Sequence, residues 1–574
     1  MYLTDKLSII EQKNCEIEKS IVSKNGILFT LIPSNINPLL ITFSIPLIEI
    51  SRFWYPTAPI NCPLPNLWSE LLKTKSNYST PIFSLFNESG KNKVTIALSE
   101  TKREINSLIG VHEESASIYF TFQVFEGLSN GTLKIHFDFS DQLFSDSIIQ
   151  ARKWQYECGN YQILPKNSFA YNPVYSTWYS FHQKINQYEV EQQQKHFDKY
   201  HLKAIILDDG WQTDDSSRRY AFAGDWEISK NKFPNMKKHI ANIRQRQTRY
   251  LLWVTLPYVG EKTQAFLKFK NKLLYFDEFQ KAGILDPRYS EVREYLTSRL
   301  ITLVKELDLD GLKIDFVDTF KATNTDANSG MDIKNLDDAI DALLRRITSN
   351  CRDYKHDFLI EFREDYFGTV MNQYANIMRV KDCPCDYNQN RIGITNLRLL
   401  CPTAAPHSDM VMFNSKDELS NIALQILNCL HGVIQLSIDL NGLTAEQEKL
   451  LTYWLNYQYK NRHFIYDHSF TALNPQLGYN ILASGSDIKR IITSHQGNQC
   501  VVINDSFFAQ TIDVINVTLT PQLLIKNATR TLMISKVKIF DVFGELIDNS
   551  EINLQIGEVV SLDIPSGGFI RIKN

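Results

Sequence analysis

Ala204-Ile205-Ile206-Leu207-Asp208-Asp209-Gly210-Trp211 and Gly311-Leu312-Lys313-Ile314-Asp315 decide how this chain is read. Each is a short apolar run that stops abruptly at acidic residues. Such a run, with a helical stretch after it, predicts a buried parallel strand that delivers carboxylates to the carboxyl end of a sheet. In a barrel of alternating strands and helices, functional side chains collect at that end.

The strand-then-helix texture extends outward from these runs over residues 170–460. Strands are expected at 174–181, 204–207, 250–256, 311–317, 358–362, 375–380, 411–413 and 432–438. Helices are expected at 189–200, 290–307 and 337–349, the second with Val292, Tyr295, Leu296, Leu300, Leu303, Val304 and Leu307 on one face. Repeated units of this kind predict an α/β fold, a (β/α)8 TIM barrel. A doubly wound sheet is the competing architecture, and no glycine-rich phosphate loop supports it. Before the barrel, short runs at 26–32, 40–48, 93–98, 117–125 and 132–139 lie between Asn, Ser, Gly and Pro clusters and predict an N-terminal β-sandwich. After it, runs at 488–494, 500–504, 537–542, 559–563 and 568–572 predict a small C-terminal β-sandwich domain. The expected domains are 1–168, 169–465 and 466–574.

Composition narrows the function. With 574 residues, 43% hydrophobic and 22% charged, the chain has the balance of a globular protein with several domains. A net charge of -3 without a basic block argues against nucleic acid and anionic membrane as partners. Neither a secretory signal near the amino terminus nor an apolar run of membrane-spanning length is expected. The nine cysteines are scattered, an odd number that reads as reduced thiols in a cytoplasm. Cys383-Pro384-Cys385 is the only close pair, and no second pair with metal-ligand spacing lies near it.

Candidate site residues sit where the strands stop. Lys313 and Asp315 are two apart on one strand and face the barrel interior together. A nearby ammonium favours the ionised carboxylate, as a covalent nucleophile requires, although a structural ion pair has the same signature. Asp208 and Asp209 end another strand and turn at Gly210, either to accept ligand hydroxyls or simply to form a turn. Trp211 beside them would make a stacking wall. Gly224-Asp225-Trp226 and Lys232-Phe233-Pro234 lie in a long loop that is either functional or a packed lid. Trp178 and Trp253 line the pocket or belong to the core. Arg379, Asp382 and Asp386 close another strand. Either acid there could serve as a general acid and then base, while Asp382 could instead bridge Arg379 and Asp386 could begin the next turn. Glu361 and Arg363 end the fifth strand, with Glu364 and Asp365 following, and Arg363 either holds a hydroxyl or orients a carboxylate, or the stretch is a solvated charge run. His407-Ser408-Asp409 reads as structural. No serine nucleophile elbow is present.

Taken together, Trp178-Tyr179-Ser180, Leu207 to Trp211, Gly224-Asp225-Trp226, Lys232-Phe233-Pro234, Trp253, Lys313-Ile314-Asp315 and Arg379 with Asp382 resemble the α-galactosidase and raffinose-synthase-like glycoside hydrolases, family 36 of clan D. The resemblance spans residues 172–438. It implies Asp315 as nucleophile, Asp208 and Asp209 as the pair that binds galactose hydroxyls, Trp211 as the pocket aromatic, Lys313 as a hydroxyl-binding lysine and Asp382 as acid/base. Two departures stand out. Relatives often carry Ser-Asp-x-x-Asp where this chain has Lys381-Asp382-Cys383-Pro384-Cys385-Asp386, with one more residue between the acids. Many have a Cys-x-x-Gly-Gly-rich turn where this chain has Glu361-Phe362-Arg363-Glu364-Asp365.

The expected function is a retaining glycoside hydrolase acting on terminal α-linked sugars, foremost α-galactosides, by double displacement and without metal or organic cofactor. Competing readings are a raffinose-synthase-like transglycosylase, another specificity such as α-N-acetylgalactosaminidase, a metal-dependent barrel enzyme and a non-catalytic carbohydrate-binding barrel. The expected partner is a small glycoside or oligosaccharide. Homo-oligomerisation stays open.

Overall fold

The apolar runs that stop at acids are barrel strands. Eight parallel strands follow one another around a closed sheet: β1 Val174–Ser176, β2 Ala204–Leu207, β3 Arg249–Thr255, β4 Gly311–Asp315, β5 Leu359–Arg363, β6 Ile377–Arg379, β7 Ala405–His407 and β8 Gln435–Leu436. β8 pairs with β1, and a parallel bridge from His407 to Val433 closes the ring. The structure is a computed structural model that describes residues 6–68, 71–321, 330–530 and 533–574. The first five residues of the expected amino-terminal reading lie outside the described residues.

Helices cover the barrel where the sequence period demands it. Helix Ser290–Leu307 buries Val292, Leu296, Leu300, Leu303, Val304 and Leu307 against the sheet and ends at Asp308 in the left-handed conformation. Helix Leu336–Tyr354 is longer than the expected 337–349 and begins at the Asn335 cap. Gly311 opens β4 because backbones crowd there: a Cβ would lie 2.6 Å from the Leu359 carbonyl oxygen.

Two strand expectations need correction. Residues 174–181 are not one strand: after Ser176 the chain turns at Thr177, and Trp178–Phe181 forms a short helical turn. The seventh strand is Ala405–His407, not 411–413, where Val411 makes a single bridge to Leu436. The stronger apolar run misleads because a short barrel strand is defined by its neighbours. Val380 N–H donates to His407 O at 3.0 Å, and Val433 N–H donates to Pro406 O at 2.8 Å.

Sheets flank the barrel on both sides, antiparallel in the amino-terminal part and mixed in the carboxyl-terminal part. Amino-terminal to it, a five-stranded and a six-stranded sheet enclose their own apolar core, as expected from the runs up to residue 139. A helix, Phe144–Gly159, which the strand-like texture hid, joins this sandwich to the barrel. Carboxyl-terminal to it, a seven-stranded sheet packs on helix Ala445–Tyr466, where Trp454 Nε1 donates to Val542 O at 2.8 Å, and a three-stranded sheet shares an apolar core with its other face. Among the described residues no helix is long and apolar enough to cross a membrane.

Candidate active site

Parallel register brings the strand ends to one level. Trp253 pairs with Lys313, Lys313 with Glu361, Thr255 with Asp315, and Arg363 with Arg379. Side chains two apart share a face, so Lys313 and Asp315 point into the same mouth, as do Glu361 and Arg363.

Asp315 is the most constrained group. Its Oδ2 accepts from Trp253 Nε1 at 3.0 Å. Its Oδ1 accepts from Arg363 Nε at 2.7 Å and from the Phe316 N–H at 2.8 Å, with the Tyr366 hydroxyl at 3.4 Å. Burial alone would raise its pKa. The charges of Arg363, Lys313 and Arg379 outweigh burial and hold the carboxyl well below the usual carboxylate range. The strand stops here because Phe316 turns into the left-handed region (φ 65°). That turn sets the Phe316 ring edge-on to Tyr258 and Tyr220, at 5.1 and 5.2 Å.

The aspartate pair of β2 divides its tasks. Lys313 Nζ donates to Asp208 Oδ2 at 2.6 Å, a contact buried on both sides. Among the described residues Asp209 forms no ion pair. Gln183 and Gln212 side-chain amides donate to it, and burial pushes its pKa up to about 6 against those hydrogen bonds. The adjacent turn needs Gly210: its φ is 118°, and a Cβ would lie 2.6 Å from Gln183 Cα. Lys232 locks the turn by donating to the carbonyls of Gln183 at 2.5 Å and Gly210 at 3.1 Å.

Arg379 organises the opposite wall. Its fully buried guanidinium reaches Asp409, Asp382 Oδ1 at 2.9 Å and Glu361 Oε1 at 3.5 Å. Asp382 is the open member, with its side chain 59% exposed. Burial against the rim would raise its pKa, but Arg379 and Lys313 bring it below the ordinary value. Asp409 is enclosed and accepts from Tyr179 Oη at 2.9 Å and Cys383 N–H at 2.7 Å. His407 also belongs to this buried scaffold, its Nε2 2.7 Å from Ala170 O, and burial brings its pKa down to about 4.

Several sequence candidates fall elsewhere. Trp211 is fully buried, and its indole N–H donates to Trp253 O at 2.9 Å, so it backs the wall instead of facing the mouth. Trp226 is also buried, beneath a loop whose Asp225 and Trp226 carbonyls accept from Arg299. Asp225 caps Gln264–Phe269 through the Gln264 and Ala265 N–H groups. Of the two loop motifs, only Lys232 touches the acid pair's turn. Asp386 caps helix Tyr387–Leu400, accepting from Gln389 N–H at 2.9 Å, which is the turn reading. Trp178 stays partly open at the mouth, edge-on to His182 at 4.6 Å and 5.9 Å from the Arg218 guanidinium.

Other residues of this mouth gave little or no local signal. Tyr220 stacks on Trp253 at 5.9 Å, and burial and the charges of Asp209 and Asp315 raise its pKa far above normal. Tyr366, Gln183 and Asp318 join the cluster from loops. Asp409 reads as structural from the sequence because it precedes 411–413, the stretch expected as the strand, whereas the strand is Ala405–His407 and Asp409 follows it.

A closed α/β barrel with several carboxylates and cations converging at the carboxyl ends of its strands defines a class. Residues 162–463 match the family described as glycosyl hydrolases family 31 TIM-barrel domain, and the chain belongs to that family. Its sequence is similar to α-galactosidase 2 of Pediococcus pentosaceus, 26% identical over 162 residues, a match that spans 27% of this chain and 22% of that protein. The fold is similar to the α-galactosidase of Lactobacillus brevis (TM-score 0.64, 12% identity, covering 98% of this chain and 80% of that one). It is also similar to the family 36 α-galactosidase AgaA of Geobacillus stearothermophilus (TM-score 0.63, 12% identity, covering 99% and 87%), a variant of which is solved with raffinose. The family 36 likeness of the motifs therefore extends to the whole fold, although the matched family is numbered 31.

Proposed function

We propose that this chain is a retaining α-glycosidase acting on terminal α-galactosides, with Asp315 as nucleophile and Asp382 as acid/base. The observation that carries the reading is Asp315 itself: fixed by hydrogen bonds to both oxygens, paired with Arg363 and set among convergent carboxylates. Asp315 attacks the anomeric carbon while Asp382 protonates the leaving oxygen. Water deprotonated by Asp382 then displaces Asp315 with net retention. The role of Asp382 needs a bound sugar to exclude water from a carboxyl that is now open and paired to Arg379, so that its pKa rises in the complex.

Asp208, Asp209 and Lys313 supply acceptors and a donor for sugar hydroxyls, with Trp178 and Tyr220 as apolar surfaces, while the buried Trp253 holds Asp315. Arg363 positions Asp315. It also fills the place where relatives have a small turn, so the pocket there is bulkier and more charged. The division into domains 1–168, 169–465 and 466–574 and a reducing, cytoplasmic setting complete the reading. All nine cysteines are free thiols.

The test is nitrophenol release from a panel of α-linked nitrophenyl glycosides by wild type and Asp315→Ala, with azide added to the variant. The α-galactoside should be cleaved, and azide should restore turnover with a β-azide product. Sugar binding without turnover by folded wild type would refute catalysis.

A further inference from the structure

Asp382 stands on a segment that is leaving the barrel sheet. The end of β6 still bonds to both neighbours: Arg379 O accepts from Glu364 N–H at 2.9 Å, and Val380 N–H donates to His407 O at 3.0 Å. Beyond Val380 the chain runs through Lys381, Asp382 and Cys383 toward the helix that Asp386 caps. A carboxyl on such a segment, with its side chain 59% exposed, needs something to hold its aim.

Two buried carboxyls hold the segment, one on each side of Asp382. Lys381 N–H donates to Glu364 Oε2 at 3.2 Å, and Cys383 N–H donates to Asp409 Oδ2 at 2.7 Å. Glu364 follows β5 and Asp409 follows β7, so the chain after β6 is gripped from the strand ends on both flanks. The grip is backed by helix Tyr387–Leu400. A Cβ at Gly393 would lie 3.1 Å from Glu364 Oε2, so this glycine leaves the room that the carboxyl occupies. Asn390, one turn earlier on the same helix, accepts from Asp409 N–H at 2.8 Å.

Satisfying two amides at an open rim does not require this. Water serves such groups well, whereas burying a carboxyl is costly unless it is hydrogen-bonded. An acid spent on each flanking amide therefore points to rigidity. Rigidity matters here because a misplacement of about 1 Å in a reacting group costs about 10²-fold in rate. Glu364 also abuts the arginine that holds Asp315, since Arg363 Nη1 donates to Glu364 O at 2.8 Å. That contact uses backbone, which any substitution keeps.

We propose that Glu364 and Asp409 are positioning residues, a clamp that sets the aim of Asp382 through the amides on either side of it. The proposal rests on the glycosidase reading and adds to it two residues that act without touching the sugar.

The experiment is made on Glu364, because Asp409 also pairs with Arg379. Glu364→Met and Glu364→Ala remove the acceptor, and Glu364→Gln keeps one. Burial pushes the Glu364 carboxyl up to about 7, so glutamine also resembles the uncharged form that is well populated at neutral pH. kcat/KM, which reports the first chemical step, is measured for methyl α-galactoside, whose leaving group needs the acid, and for dinitrophenyl α-galactoside, whose leaving group does not. The ratio of methyl to dinitrophenyl values should fall roughly 10²-fold in the Met and Ala variants, the cost of a misplaced acid. In Glu364→Gln it should stay within about threefold of wild type, under one tenfold step of the barrier. A loss of folded protein, or a merely structural role, lowers both values alike and cancels. A ratio within about threefold of wild type in both the Met and Ala variants overturns the proposal, and so does a ratio in Glu364→Gln as low as in Glu364→Met. If wild type cleaves neither substrate, the glycosidase reading fails on its own, and crystal structures of wild type and Glu364→Ala then read the clamp. An Asp382 carboxyl displaced by about 1 Å or more upholds it, and an undisplaced one overturns it.

Discussion

Arg363→Met tests what holds the proposed nucleophile ionised. Methionine keeps the length and apolar stem of arginine but removes the guanidinium that donates to Asp315 Oδ1 at 2.7 Å. Both partners are largely enclosed, with side chains 15% and 10% exposed, so solvent screens the pair little. Removing one member of such a pair costs about 3–5 kcal/mol, because the remaining carboxylate stays buried. Lys313 and Arg379 also act on Asp315 and place the loss toward the lower figure. At roughly 2 °C per kcal/mol for a domain of this size, the barrel transition should fall by about 6–10 °C. Fluorescence follows that transition, since Trp211, Trp226, Trp253 and Trp454 are buried in it. The pH dependence has a definite sign. The folded pKa of Asp315 lies below its unfolded value of about 3.9, so the stabilisation is fully present above that pH and is lost as pH falls through the folded pKa. The gap between wild type and variant should therefore be constant from about pH 7 to 5 and shrink below about pH 4. A gap under about 2 °C at neutral pH, below the scale of one kcal/mol, or one that widens on acidification, would refute the account of Asp315.

Asp209, pushed up to about 6, should show the opposite sign. Between its unfolded pKa and about 6 the folded state holds the proton more tightly, so this group's contribution to stability declines by about 3 kcal/mol as pH rises through that window. Melting curves of Asp209→Asn should lack that decline, and sugar affinity, which in wild type should strengthen as Asp209 ionises above about 6, should become flat with pH. For the two acids after β6, Asp386→Ala should cost about 1 kcal/mol in melting experiments as a lost helix cap, with turnover unchanged. Asp382→Ala should lower turnover of glycosides with poor leaving groups by about 10²–10⁴. An inverted pattern would exchange their roles.

The sequence by itself determined the barrel and its acid-tipped strands. Apolar runs that end in carboxylates, such as 204–209 and 311–315, are local signals: burial on both faces forces the run to be apolar, and the strand end frees the next residues to be polar. Period two placed Lys313 beside Asp315 on one face, and the 3.6-residue period set helix Ser290–Leu307 at its bounds. Tertiary structure alone decided which partners those acids meet. Lys313 goes to Asp208, 105 positions away, while Asp315 takes Arg363 and Trp253, because register between parallel strands is not written within either strand. It also decided that Trp211 and Trp226 back the wall while Trp178 faces the mouth, since an aromatic side chain satisfies a core and a pocket by the same apolar surface. Asp382 and Asp386 are both carboxylates near one strand end. Only the turn between them aims one at the mouth and the other at the first turn of a helix, because backbone geometry sets the direction in which each carboxylate points.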